Sequence, residues 1–158
     1  QVRDSIFEQS VVLLFARSET GTAGLMINRP TNVPVTRVLP DMPGGPTGPR
    51  TFFGGPVSLG EVRGLVRMAR APAGATPLLP GLHLLSTPER VAAAVSDGAM
   101  VGQVRLYYGY AGWGAGQLER EIGRGDWHVL AGDAAVVFDA EPTTIWHRRI
   151  RLTDTIAA

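Results

Sequence analysis

Two apolar runs too short for long helices constrain this chain most. From Ser10 to Ala16 the run SVVLLFA is apolar and rich in β-branched residues, which reads as a strand covered on both faces in the middle of a sheet. Glu19 to Gly21 supplies a turn, and Ala23 to Asn28 (AGLMIN) is a second buried strand. It stops at Arg29-Pro30, because proline removes a backbone donor. The two runs are expected to pair as a hairpin, so the rest of the chain has to build onto a sheet.

The spacing predicts a short helix over Val33–Leu39, then a surface loop over Pro40–Arg50, where four prolines and three glycines exclude regular structure. Thr51–Phe53 begins a third strand that runs into Gly54-Gly55-Pro56. Glu61–Met68 alternates polar and apolar residues with the period of a strand at a sheet edge or with one solvated face. Leu82–Leu85 is a further short strand. Ser86 or Thr87 then caps a helix with Pro88 at its first position and Glu89 in its first turn, ended by Asp97-Gly98. Val101–Tyr108 reads as another strand, followed by glycines at 109, 112, 114 and 116 and a helical pattern over Gln117–Ile122 that stops near Gly123 and Gly125. Trp127–Leu130 and Ala135–Phe138 read as short strands, and Pro142–Arg151 as a last helix with Ile145, Trp146 and Ile150 inward. Such irregular alternation favours an α+β domain over residues 1–158, a mixed sheet with helices packed on it.

Composition sets bounds on function. A chain of 158 residues hides roughly two-thirds of its surface on folding and needs no staples. It has no cysteine, which removes disulfides, thiolate metal sites and cysteine nucleophiles together. No apolar run approaches the ~18 residues of a membrane span, and Gln1–Glu8 lacks the plan of a signal peptide, so the cytoplasm is the expected location. All fifteen basic residues are arginine, as a GC-rich coding bias produces. A formal net charge of +1 gives no overall attraction to phosphate backbones.

The segment YGYAGWGAGQLEREI, Tyr108 to Ile122, reads as a strand-to-helix junction whose glycines let backbone approach another group closely. It either presents amide N–H groups to a ligand or forms a tight turn around a buried Trp113. No Lys-Ser/Thr pair follows, and Gln117 stands where a dinucleotide fingerprint needs glycine. Gln117 and Glu121, four apart, share one helix face that either lines a pocket or meets solvent. Arg29 is aimed by the following proline and suits a carboxylate, whether of a ligand or of Glu121. Gly54-Gly55-Pro56 is either a binding loop or a strand bend. His83, His128 and His147 lack metal-site spacing, no Gly-x-Ser-x-Gly elbow exists, and His147, Arg148, Arg149 and Arg151 make no single basic stripe.

Read together, AGLMINRP (Ala23–Pro30), FFGGPV (Phe52–Val57), the Tyr108–Ile122 segment, Trp127 and VVFD before Trp146 resemble the bacterial YqgE/AlgH family, in order and spacing, over nearly the whole chain. The resemblance implies an α+β fold with a bent, partly barrel-like sheet flanked by helices in a cytoplasmic protein, and an additional strand ahead of the position matching Gln1. It carries over no catalytic residue. One family member is labelled a transcriptional regulator; this sequence shows no helix-turn-helix and no basic recognition helix, so any such effect is expected to be indirect. The candidate surface is Asn28, Arg29, Gly54, Gly55, Tyr110, Trp113, Gln117 and Glu121. The leading expectation is a regulatory or accessory binding protein with a protein or small-molecule partner and no catalytic set, cofactor, metal or membrane contact. The alternatives are a small-molecule binder or enzyme using Arg29 and Glu121, and a regulator that contacts DNA through the arginine-rich last helix.

Overall fold

In the computed structural model, which describes residues 6–42 and 48–156, the apolar runs form the expected hairpin. Strands β1 (Val12–Ser18) and β2 (Gly21–Met26) pair antiparallel. Five further strands follow: β3 (Thr51–Phe53), β4 (Val57–Arg67), β5 (Thr76–Leu79), β6 (Leu82–Leu85) and β7 (Val104–Gly114). The sheet order is β1-β2-β7-β4-β6-β5, with β3 added to β7. Only β3 runs parallel to its neighbour; the other named pairings are antiparallel. The sheet is therefore mixed and bends into a nearly closed barrel, and the α+β class holds.

Helices cover both faces. On one, α1 (Val35–Val38) and α2 (Pro88–Ser96) close a core of Val62, Val66, Leu85, Val91, Val104 and Leu106. On the other, α4 (Ala134–Val137) and α5 (Ile145–Ile156), which come after α3 (Gln117–Gly123), close a core around Leu25, Phe52, Leu65, Tyr107, Val137 and Ile145. Helix α2 starts as expected: the Thr87 hydroxyl accepts from the Arg90 amide and Pro88 occupies the first turn. Ile145 is buried, while Trp146 and Ile150 are half-buried. Arg105, itself buried, donates to the carbonyls of Val137 and Asp139 at 2.7 and 2.6 Å and so satisfies the end of α4.

Five expectations need correction. The first strand begins at Val12, not Ser10, and ends the sheet instead of occupying its middle. Its run is apolar on both faces because Leu13 and Phe15 reach the main core while Val12 reaches a separate aromatic cluster, and Leu14 is left 44% exposed. Strand β4 is no edge, since it lies between β7 and β6; on the face expected to be solvated Glu61 and Arg67 are exposed, but Leu65 is buried and Phe15 and Tyr110 cover Arg63. The strand expected over Val101–Tyr108 starts at Val104 and continues through the glycines to Gly114. Residues Trp127–Leu130 form no strand, and the strand expected over Ala135–Phe138 is instead a helical turn, Ala134–Val137, because the Asp133 carboxylate accepts from the Ala135 amide at 2.9 Å and caps it. Strand β5 had no expectation. Of the loop expected over Pro40–Arg50, residues 43–47 lie outside the described residues.

Candidate functional site

Three motif stretches meet at one crossing. Strands β3 and β4 both pair with Leu106–Tyr108 of β7, so they flank it on opposite sides. Only Gly54, Gly55 and Pro56 carry the chain from one side to the other. They pass directly over β7. A Cβ on Gly54 would lie 2.3 Å from the Gly109 carbonyl oxygen, one on Gly55 2.2 Å from the Tyr110 carbonyl carbon, and one on Gly109 2.2 Å from the Gly55 carbonyl oxygen. The Gly54 amide donates to the Tyr108 carbonyl at 2.9 Å and the Gly54 carbonyl accepts from Met26 at 2.8 Å. The Gly-Gly-Pro corner is thus a crossing of two backbones with no room for side chains.

Past the crossing, Trp113 turns to the interior, 7% exposed, in a cluster with Ala111 and Leu118. Its ring stands edge-on to Trp127 at 5.7 Å, and Phe7 lies 6.4 Å from Trp113 and 6.1 Å from Trp127. Both indole N–H groups donate to one oxygen of Glu121 at 2.9 Å. The other oxygen accepts from the Gln117 amide at 3.0 Å, and the Gln117 carbonyl oxygen accepts from the Gly114 amide at 3.0 Å. Gln117 and Glu121 share a face of α3, which faces the indoles. Burial raises the Glu121 carboxyl, but hydrogen bonds from Trp127, Gln117 and Trp113 together with the charge of Arg124 outweigh it, so its pKa lies below the usual carboxylate value.

Asn28 and Arg29 act on the turn at residues 6–9. Asn28, 3% exposed, accepts from the Val11 amide at 2.9 Å and donates to the Gln9 carbonyl at 2.8 Å. Arg29 donates to the Glu8 carbonyl. With Phe7 among the indoles, this one turn joins the Asn28-Arg29 corner to the Trp113 cluster. Arg29 and Glu121 do not meet, because each is committed to different partners on either side of the turn.

Two hollows open beside these residues. One of about 470 Å³ is lined by Ile6, Glu8, Gln9, Arg29 and Phe53. A second of about 360 Å³ lies over β1, β2 and β7, with Tyr110, Gly112, Val57, Arg17, Thr20 and Thr22 among its lining residues. Tyr110 is fixed there by Phe15, edge-on at 6.4 Å, and by the Arg63 guanidinium 4.9 Å from its ring centre. Among the described residues no group of three His, Asp or Glu is placed to hold a metal ion, and no helix is long and apolar enough to cross a membrane. In the basic cluster of α5, Arg148 is paired with Asp139 at 2.5 Å.

A model of the AlgH-like family, DUF179, matches residues 1–156. The chain belongs to this family. Relatives in it include a UPF0301 protein of Streptomyces coelicolor, 36% identical over 94% of this chain and 79% of its own, and one of Methylococcus capsulatus, 35% identical over 93% and 82%. The solution structure of the AlgH protein from Pseudomonas aeruginosa superposes with a TM-score of 0.73 at 29% identity, covering 99% of this chain and 82% of that one. Protein DIP2367 of Corynebacterium diphtheriae superposes with a TM-score of 0.71 at 27% identity over 90% and 76%. In this AlgH-like chain the motif residues separate into three tasks: Gly54 and Gly55 make the crossing, Trp113, Gln117 and Glu121 make the indole cluster, and Asn28 and Arg29 hold the turn. Tyr110 lines the second hollow. Sequence reading missed Glu8, Gln9, Arg17 and Thr22; none has a motif of its own, and their places depend on pairings between distant strands.

Proposed function

We propose that this chain is a non-catalytic regulatory or accessory protein of the bacterial cytoplasm that binds an extended segment of a partner protein on the Tyr110–Gly112 hollow. Any effect on transcription follows from that binding. The observation that carries the reading is an open sheet edge. On the β4 side, pairing with β7 ends at Val57 opposite Tyr110, while β2 and β3 share the other side. Among the described residues, no strand pairs with Gly112–Gly114 on the β4 side, while Gly55 lies against Ala111 and the Gly114 amide is taken by a side chain. An open edge beside a hollow supports strand addition, in which main-chain bonds supply affinity and the hollow selects side chains.

Gly112 offers a clean test. A Cβ there would meet Tyr110 at 3.4 Å and Val57 at 3.8 Å, ordinary contact distances, and its φ is not left-handed. Gly112→Val is expected to keep the fold, since valine suits a strand, while filling the floor of the hollow. Panning a random peptide library on the wild-type chain should yield binders that lose at least tenfold in affinity, about 1.4 kcal/mol, on Gly112→Val. Binders that hold both proteins equally would refute strand addition at this place.

A further inference from the structure

We infer that the hollow at the N-terminal turn is a binding site for a free α-amino acid with an apolar side chain. Its volume of about 470 Å³ is enough for an amino acid, and the hollow opens broadly to solvent, with Ile6 40% exposed. Arg29, Glu8, Gln9, Ile6 and Phe53 line it, residues that carry a guanidinium, a carboxylate, an amide and two apolar side chains. A zwitterion carries the complementary pair of charges. Its carboxylate matches the Arg29 N–H groups that are not given to the Glu8 carbonyl, its ammonium group matches Glu8, and Ile6 and Phe53 flank its side chain. A plain carboxylate would be repelled by Glu8 and a plain amine by Arg29, so the zwitterion is the class that satisfies both walls.

The bonds that hold the turn also hold the site in shape. Gln9 adopts φ +54°, a left-handed conformation rare outside glycine, which persists only where the surroundings enforce it. The enforcing contacts are the buried Asn28 amide on the Gln9 carbonyl at 2.8 Å, the Ser10 hydroxyl on the Phe7 carbonyl at 2.7 Å, and Arg29 on the Glu8 carbonyl. Because Glu8 holds Arg29 through its backbone carbonyl, its carboxylate remains for a ligand. Phe53 is steadied by Tyr108, edge-on at 5.8 Å. The site shares no lining residue with the Tyr110–Gly112 hollow and stands or falls apart from strand addition.

The test is an amide NMR titration with L-phenylalanine, 3-phenylpropionate, which lacks the amine, and phenethylamine, which lacks the carboxylate. L-phenylalanine should shift residues 8, 9, 29 and 53 saturably, and each single-charge analogue should bind about twofold to fivefold more weakly, the scale of an exposed ion pair. Glu8→Gln should erase the preference over 3-phenylpropionate and leave the spectrum otherwise intact; Arg29→Gln should erase the preference over phenethylamine. Absence of shifts at these residues, equal binding of the three probes, or wild-type preferences in both variants would overturn the assignment.

Discussion

Gly55→Ala lowers the melting temperature by about 10 °C or more, or prevents folding outright, while Gly60→Ala leaves it unchanged within about 2 °C. The contrast rests on what each new methyl group meets. At Gly55 it would lie 2.2–2.4 Å from three backbone atoms of Tyr110 and Ala111, at φ +151°; at Gly60 it meets nothing within 4 Å. Backbone cannot rotate aside as a side chain can. Separating the two chains at the crossing disturbs the junction of β3, β4 and β7 together, and combined overpacking and conformational strain is worth about 3–5 kcal/mol, a large part of a typical 5–15 kcal/mol stability. Thermal unfolding followed by circular dichroism on the two variants checks it, and equal melting temperatures would contradict the crossing.

Glu121→Leu produces the second large effect, a loss of about 2–4 kcal/mol with a changed tryptophan emission spectrum. Leucine removes the acceptor of two indole N–H groups at once, one of them on the buried Trp113, and each buried donor left unpaired costs about 1–3 kcal/mol. The pH dependence has a definite sign. Because the folded-state pKa of Glu121 is lowered, its charge contributes stability that is present above the unfolded carboxyl value near ~4.3 and is lost as pH falls through the folded value. Glu121→Gln lacks that contribution, so the wild-type advantage over Glu121→Gln should be largest near neutral pH and shrink in acid. Urea unfolding of both proteins at several pH values measures it; an advantage that grows as pH falls would show that the carboxylate is not the indoles' acceptor.

Local chemistry made the hairpin and the start of α2 readable from sequence: apolar runs bounded by turn residues, and Thr87-Pro88 at a helix entrance. What stayed hidden depends on chain segments far apart. Glycines at 109, 112 and 114 read as a break, yet β7 runs through them; at Gly109 another backbone needs the space. The apolar positions of β1 looked like one buried core and serve two, because the aromatic cluster of Phe7, Trp113 and Trp127 lies on the face away from the main core. The run Ala134–Val137 contains two β-branched residues, but a capping carboxylate from Asp133 outweighs that preference in so short a segment. For the candidate residues, spacing placed Gln117 and Glu121 on one face, whereas their partner Trp127 follows a chain reversal that no periodicity encodes. Nothing in the sequence marked Gln9 for a left-handed conformation; Asn28, nineteen positions on, holds its carbonyl.

Amide hydrogen exchange on the wild-type chain, with and without a peptide selected by panning, tests the proposed binding surface most directly. Strand addition predicts new protection at Gly112 and Trp113, together with Thr22 and Ala23 across the hollow, and no such protection in Gly112→Val. Protection confined to the turn at residues 6–9, or spread over the exposed stretch 128–131, would place the peptide elsewhere and contradict the proposed surface.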